Sequence, residues 1–320
     1  MRILAFDIGG ANTKKLVFED GAAHSKLTYF PIWKRKNELI SFLSSQREDA
    51  DMTVVTMTAE LSDVFTSKEE GTRFIVRSCE KAFKNPFFLT LERKLVRKDG
   101  IPNFRSLASA NWQASLYLME KRFDEGILID VGSTTTDILP FGKDAKQGIS
   151  DLERLKTFQL VYTGYLRTPV NAIVGEVPIN GLMTPIASEL FAITADVYNV
   201  LWGVTYTCET PDGREKTKEG SKRRLARLLC ADLDEAEEHI QGICSHVHEV
   251  QVKRISEAIN RVSKDAGSSE VYVAGVGKRL GLEAARELGF HTIDLEKRVK
   301  DAWNLPCLGL CEIALDMERC

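Results

Sequence analysis

Apolar residues run through 3–8, broken only by Asp7, then fall away at a Gly-Gly pair. Such a run, bounded by a small-residue turn, predicts a strand buried on both faces. Residues 15–19 and 25–30 read as the next strands, divided at Asp20-Gly21, so the chain opens with antiparallel strands on tight turns. A helix is predicted over 37–46, a strand over 52–57, a helix over 68–83 and a strand over 87–91. Residues 106–121 carry apolar side chains at helical spacing, with Leu107, Ala110, Ala114, Leu116 and Leu118 on or near one face. A second apolar run at 126–131 again ends in small residues and is followed by a strand at 138–141. Beyond 186 the pattern is mostly helical as far as 266; a strand at 271–274, a helix at 279–288, a strand at 290–294 and a closing helix at 306–318 complete the order.

The two apolar runs continue alike. DIGGANTKKLVF at 7–18 and DVGSTTTDILPF at 130–141 both read Asp, apolar, Gly, small, two variable positions, Thr, then a polar residue before a strand. The offset of 123 residues is too long for a solenoid repeat and fits a duplicated domain. Two α/β domains are therefore expected in the 320 residues: 1–124, and 125–320 with a helical insert over about 186–266 and a closing helix able to return to the first domain.

Composition narrows the classes. Lys plus Arg total 43 and Asp plus Glu 46, which gives no global reason to bind nucleic acid or an anionic membrane. No apolar stretch approaches the roughly 18–20 residues of a membrane span, and MRILAFDIGG is too short and acidic for a signal peptide. Seven scattered cysteines point to reduced thiols and a cytoplasmic setting. The basic run at 213–227 beside the acidic 232–238 reads as solvated helix faces or a helix-loop-helix, with an anionic partner or a second-subunit contact as the alternatives. On a helix Cys244 and His248 would share a face while His246 points away, an incomplete metal set. Cys307 and Cys311 read as small buried apolar residues.

Small-residue turns after buried strands aim backbone N–H groups into a concavity that takes anions, phosphate above all. Gly9, Gly10, Asn12, Thr13 and Lys14 form one candidate cradle, and Gly132, Ser133, Thr134 and Thr135 the other. Asp7 and Asp130 at the strand ends could hold a hydrated Mg²⁺, which needs few protein oxygens. A third small-residue turn, Gly275-Val276-Gly277 followed by Lys278, is a candidate nucleotide-like turn.

These three motifs resemble the phosphate and adenosine turns of the actin, sugar-kinase and heat-shock-chaperone ATPase superfamily. The resemblance implies two ribonuclease-H-like domains facing a cleft. DVGSTTTDI is especially similar to the hydantoinase/oxoprolinase branch. Together with VVTMTAEL at 54–61, SANWQAS at 109–115 and YTGYLRTPV at 162–170, the set resembles a family of archaeal methanofuran-biosynthesis proteins. That resemblance implies a transferase joining an aminomethylfuran-methyl diphosphate to γ-glutamyltyramine, with release of pyrophosphate. Its partners would be these small molecules, with no nucleic acid and no membrane. It leaves ATP binding and homo-oligomerisation open, and ATP is not expected to be consumed. An ATP-dependent kinase or hydantoinase-like hydrolase, and a nucleotide-dependent conformational switch, are the competing classes.

A sugar kinase needs a carboxylate base near residues 109–112, where this chain has Ser-Ala-Asn-Trp. A condensing enzyme must instead take a proton from a phenol of reference pKa near 10. Asp137 and Glu60 are the candidate acceptors, with a hairpin or metal ligand and a helix N-terminal carboxylate as their respective structural alternatives. Lys14 is a candidate phosphate contact, and Arg167 a candidate partner of the diphosphate or the glutamyl carboxylate. Tyr162 and Tyr165 are candidates for the aromatic pocket or for core packing.

Overall fold

The computed structural model describes residues 1–266 and 270–319. The first half supplies β1 (Arg2–Ile8), β2 (Asn12–Glu19), β3 (Ala22–Tyr29), α1 (Ile32–Arg35), α2 (Leu39–Ser45), β4 (Met52–Met57), α3 (Lys68–Ala82), β5 (Phe87–Leu89), β6 (Leu95–Val96) and α4 (Asn111–Arg122). β1 is buried along all but its first residue, Asp7 included, as its largely apolar run predicts. α3 begins where the Ser67 hydroxyl accepts from the Glu70 N–H, with Glu69 and Glu70 in the first turn and Lys81 in the last.

The second half supplies β7 (Gly126–Val131), β8 (Thr136–Phe141), α5 (Asp151–Lys156), β9 (Leu160–Val161), β10 (Glu176–Ile179), β11 (Leu182–Pro185), α6 (Thr194–Trp202), α7 (Lys218–Ala226), α8 (Leu233–Ala266), β12 (Glu270–Ala274), α9 (Lys278–Glu287), β13 (His291–Asp294) and α10 (Leu305–Arg319). The first sheet runs β3-β2-β1-β4-β5-β6 and the second β13-β12-β7-β8-β9. Read from the hairpin edge, the two share one plan: an antiparallel trio, then parallel strands beside its third member. The duplicated motif thus corresponds to a duplicated architecture of two ribonuclease-H-like sheets.

The register carries the repeat into the site. Asp7 faces Lys14 and Ile8 faces Thr13 across β1–β2; Asp130 faces Asp137 and Val131 faces Thr136 across β7–β8. α4 and α10 lie between the sheets. Ala110 and Ala114 of this region join α10 and the first sheet in one core, while Trp112, Leu116 and Met119 join Leu128, Leu139 and Phe141 in another. Cys307 and Cys311 are buried in the first of these, as small apolar residues.

Several expectations are corrected. The helix predicted from 106 is broken: a short 3-10 turn, Phe104–Leu107, precedes Ser109, whose φ is +51°, and α4 starts only at Asn111. Periodicity alone cannot see that kink, because the apolar spacing continues through it. The segment 186–266 is helical at α6, α7 and α8, but 203–217 between the first two is irregular. Arg224 is not solvated: it is buried against the Asp196 carboxylate at 2.7 Å, which offsets its desolvation. Cys244 is a core residue, and the His248 ring meets Glu283 at 3.0 Å. No described helix is long and apolar enough to cross a membrane.

Candidate active site

The two hairpins approach each other where β1–β2 and β7–β8 turn. Gly9 donates to the Asn12 carbonyl at 2.9 Å and Gly132 to the Thr135 carbonyl at 2.9 Å, so each tip has the same two-residue form. Asn12 Nδ2 reaches Ser133 Oγ at 3.4 Å, joining the halves. Each tip is backed by a later segment. The Gly10 and Ala11 carbonyls accept from Ile32 and Phe30; the Gly132 and Ser133 carbonyls accept from Tyr165, Leu166 and Arg167. In a trans peptide C=O and N–H point opposite ways, so this backing turns the Ala11, Asn12, Ser133 and Thr134 amides away from the backing segments.

The YTGYLRTPV segment therefore has a physical role that its sequence did not disclose. A Cβ at Gly164 would lie 2.4 Å from the Thr134 backbone, so only glycine permits the contact. Gln251 of α8 holds this segment through Thr163 Oγ1 at 2.9 Å and the Gly164 carbonyl at 2.8 Å. Arg167 donates to Thr134 Oγ1 at 3.0 Å and lies over the Trp33 ring at 4.9 Å, bridging both halves. Tyr165 stacks on Tyr198, whereas Tyr162 is 66% exposed and lies outside the core.

Charges concentrate below the tips. Lys14 Nζ lies 3.6 Å from Asp7 Oδ2. Burial opposes the Lys14 ammonium, but Asp7, Asp130 and Asp137 outweigh it and raise its pKa. Burial pushes Asp7 up as well, and pushes Asp130 up to about 6, helped by the nearby Asp137 and Asp7 charges. Asp137 is held in an ion pair by Arg154, whose guanidinium lies over the Trp112 ring at 4.7 Å. Three carboxylates thus share two cations. Asp7 Oδ1 is buried with no hydrogen-bond partner among the described residues, and so is the Oγ1 of Thr56, which faces Asp7 on β4. Such orphaned oxygens suit a hydrated cation. No group of three or more metal-type side chains converges among the described residues, so a metal here would keep most of its waters.

Glu60 follows β4, held beside the first hairpin by the Thr58 and Ala59 amides, which both donate to the Ile8 carbonyl. It belongs to a turn and not to a helix start, since α3 begins at Lys68. It is 1% exposed, and burial lifts its pKa to about 7 even though Ser109 hydrogen-bonds it. Ser109 Oγ lies 2.7 Å from Glu60 Oε1 and 2.9 Å from Asp151 Oδ2. Asp151 and Arg154 went unnoticed in the sequence. The S-x-x-E box at Ser150–Glu153 was the available cue, for it starts a helix that puts 151 and 154 on one face.

The third turn behaves differently from the hairpins. Gly275 has φ +91°, and a Cβ there would lie 2.3 Å from Asp130 Oδ1; Gly277 is pressed against Val131 and Tyr165. Both glycines thus let the turn close on the second hairpin. Lys278 is turned to Asp294, at 3.1 Å, and to Glu296.

The family model for hydantoinase/oxoprolinase matches residues 51–313. The chain is 36% identical over 299 residues, 91% of each chain, to a Methanocaldococcus jannaschii protein named (4-{4-[2-(gamma-L-glutamylamino)ethyl]phenoxymethyl}furan-2-yl)methanamine synthase. It is 37% identical over 183 residues to a Methanococcus vannielii protein of the same name, covering 54% of this chain and 82% of that one. Among solved structures, a ROK family glucokinase from Streptomyces griseus, in complex with glucose and AMPPNP, is similar in fold. It has 12% identity and a TM-score of 0.50, and the match covers 99% of this chain and 100% of that one.

Proposed function

Because this chain belongs to the hydantoinase/oxoprolinase family, we propose that it is a transferase that forms the aryl ether of a methanofuran precursor. The phenolic oxygen of γ-glutamyltyramine attacks the CH₂ carbon of an aminomethylfuran-methyl diphosphate, and pyrophosphate leaves. The observation that carries this reading is the 36% identity over 91% of both chains to a synthase whose name describes the ether product. The architecture shared with a glucokinase bears on fold alone.

The residues at the cleft suit the chemistry. Negative charge grows on the departing diphosphate, and the turned amides of both hairpins with Lys14 and Arg167 supply donors for it. One such donor in a dry cleft lowers the barrier by about 3–4 kcal/mol. Asp7 and Asp130 would hold a hydrated Mg²⁺, which would neutralise diphosphate charge when bound. Asp137 is committed to Arg154, whereas Glu60 keeps an unpartnered, buried Oε2. Glu60 is therefore the residue to receive the phenolic proton. Its pKa of about 7 lies near neutral pH, where a proton-transfer group works best.

The test uses purified protein, the furan-methyl diphosphate and γ-glutamyltyramine, without ATP. Mass spectrometry should detect the ether with pyrophosphate released one for one. Pyrophosphate release that ignores the phenol, or product formation only with stoichiometric ATP hydrolysis, would overturn the reading.

A further inference from the structure

A serine hydroxyl has one hydrogen to donate. Ser109 Oγ nevertheless lies within hydrogen-bond distance of two carboxyl groups, Glu60 Oε1 at 2.7 Å and Asp151 Oδ2 at 2.9 Å. It donates to one and must accept from the other, and an ionised carboxylate has nothing to donate. One of the two acids therefore carries a proton. Asp151 has Lys68 Nζ at 3.0 Å and Arg154 Nη1 at 3.6 Å, so negative charge belongs there. Glu60 is buried and has no ion-pair partner among the described residues, so the proton belongs on it.

A protonated Glu60 cannot be the final base. It can pass a proton through itself, because its second oxygen, Oε2, is buried and unpartnered. From the functional reading above, we propose that Glu60, Ser109 and Asp151 relay the acceptor's phenolic proton across the boundary between the two halves, with Asp151 as terminal acceptor. The phenol O–H bond breaks as a proton joins Glu60 Oε2. The Oε1 proton passes to Ser109 Oγ, and the Ser109 proton passes to Asp151 Oδ2. Three O–H bonds break and three form; the negative charge moves from Asp151 to the phenolate, which attacks the CH₂ carbon. Asp151, on the first turn of α5 and only partly buried, can then lose its proton to water.

The backbone supports this assignment. Ser109 holds φ +51°, an unfavourable conformation for a residue with a Cβ, and it places the hydroxyl between the two acids. Among the described residues, the charged groups paired along the relay are Lys68 from the start of α3, Arg154 from α5, and Asp137 beyond Arg154 on β8.

Ser109→Gly and Asp151→Asn test the relay. Glycine accepts positive φ, so Ser109→Gly removes the hydroxyl without backbone strain. Each variant should lower kcat at neutral pH about 10–100-fold, within the range of a lost proton-transfer group, while KM changes little. The deficit should shrink as pH rises above about 7, because ionised Glu60 then accepts the proton directly. Infrared spectra of the unliganded protein should hold a carboxylic-acid band at neutral pH that disappears in Glu60→Gln. Wild-type kcat and pH profile in both variants, or a band unchanged in Glu60→Gln, would overturn the relay. Failure of the unaltered protein to form ether would sink the functional reading alone, since the infrared band reads the shared proton without any substrate.

Discussion

Glu60 has a cost as well as a use. Its folded pKa of about 7 lies above the ordinary 4.5, so the folded state binds a proton more tightly than the unfolded chain. Its favourable contribution is full below about pH 4.5 and is lost as pH rises through about 7. Glu60→Gln removes that penalty. It should stabilise the protein at pH 8 by on the order of 3 kcal/mol relative to its effect at pH 4, read from denaturant midpoints at both pH values. Lys14 presents the opposite case, because three carboxylates depend on it. Lys14→Gln should raise KM for the diphosphate substrate at least about tenfold, the loss of one charged hydrogen bond. An unchanged KM would remove Lys14 from the anion site. Both residues were legible as candidates from their motifs, but neither their protonation nor their partners were. Ser109, which joins Glu60 to Asp151, lies 49 positions from the first and 42 from the second along the chain.

At the level of elements, close backbone approach sets the demands. A Cβ at Gly309 of α10 would lie 1.9 Å from the Ala114 carbonyl of α4, so the two central helices touch backbone to backbone. Gly309→Ala should force them apart and cost about 1–3 kcal/mol, measured by urea denaturation; a neutral substitution would mean that α10 can slide. In the insert, Arg224 of α7 binds Asp196 of α6 with both side chains buried. Arg224→Ala leaves that buried carboxylate without its cation, with only the Tyr206 and Ser221 hydroxyls and the Ile193 amide to hold it, and should destabilise by about 3–5 kcal/mol. The α3, β4 and β7 elements follow from apolar spacing and capping residues. The start of α4 does not, because the reversal at Ser109 is imposed by contacts with Glu60 and Asp151 and leaves no trace in periodicity.

For the whole molecule, α10 matters out of proportion to its length. It comes last in the chain yet covers the first sheet, sharing a core with Ile3, Ala5 and Val54. Removing residues 305–319 should expose that core and abolish soluble, cooperatively folding protein, as followed by circular dichroism; a stable truncated chain would contradict this packing. The sequence alone determined the duplication, since DIGGANTK and DVGSTTTD each encode a buried strand, a tight turn and a return strand through local rules. It also determined the carboxylates at the strand ends, because strand register carries Asp7 and Asp130 to equivalent places. Only the tertiary structure decided which groups meet between the halves: Arg154 with Asp137, Arg167 with Trp33, and Ser109 with both Glu60 and Asp151. Backbone patterns act over a few residues, whereas charge and proton sharing depend on distances of a few ångströms between segments that the chain keeps far apart.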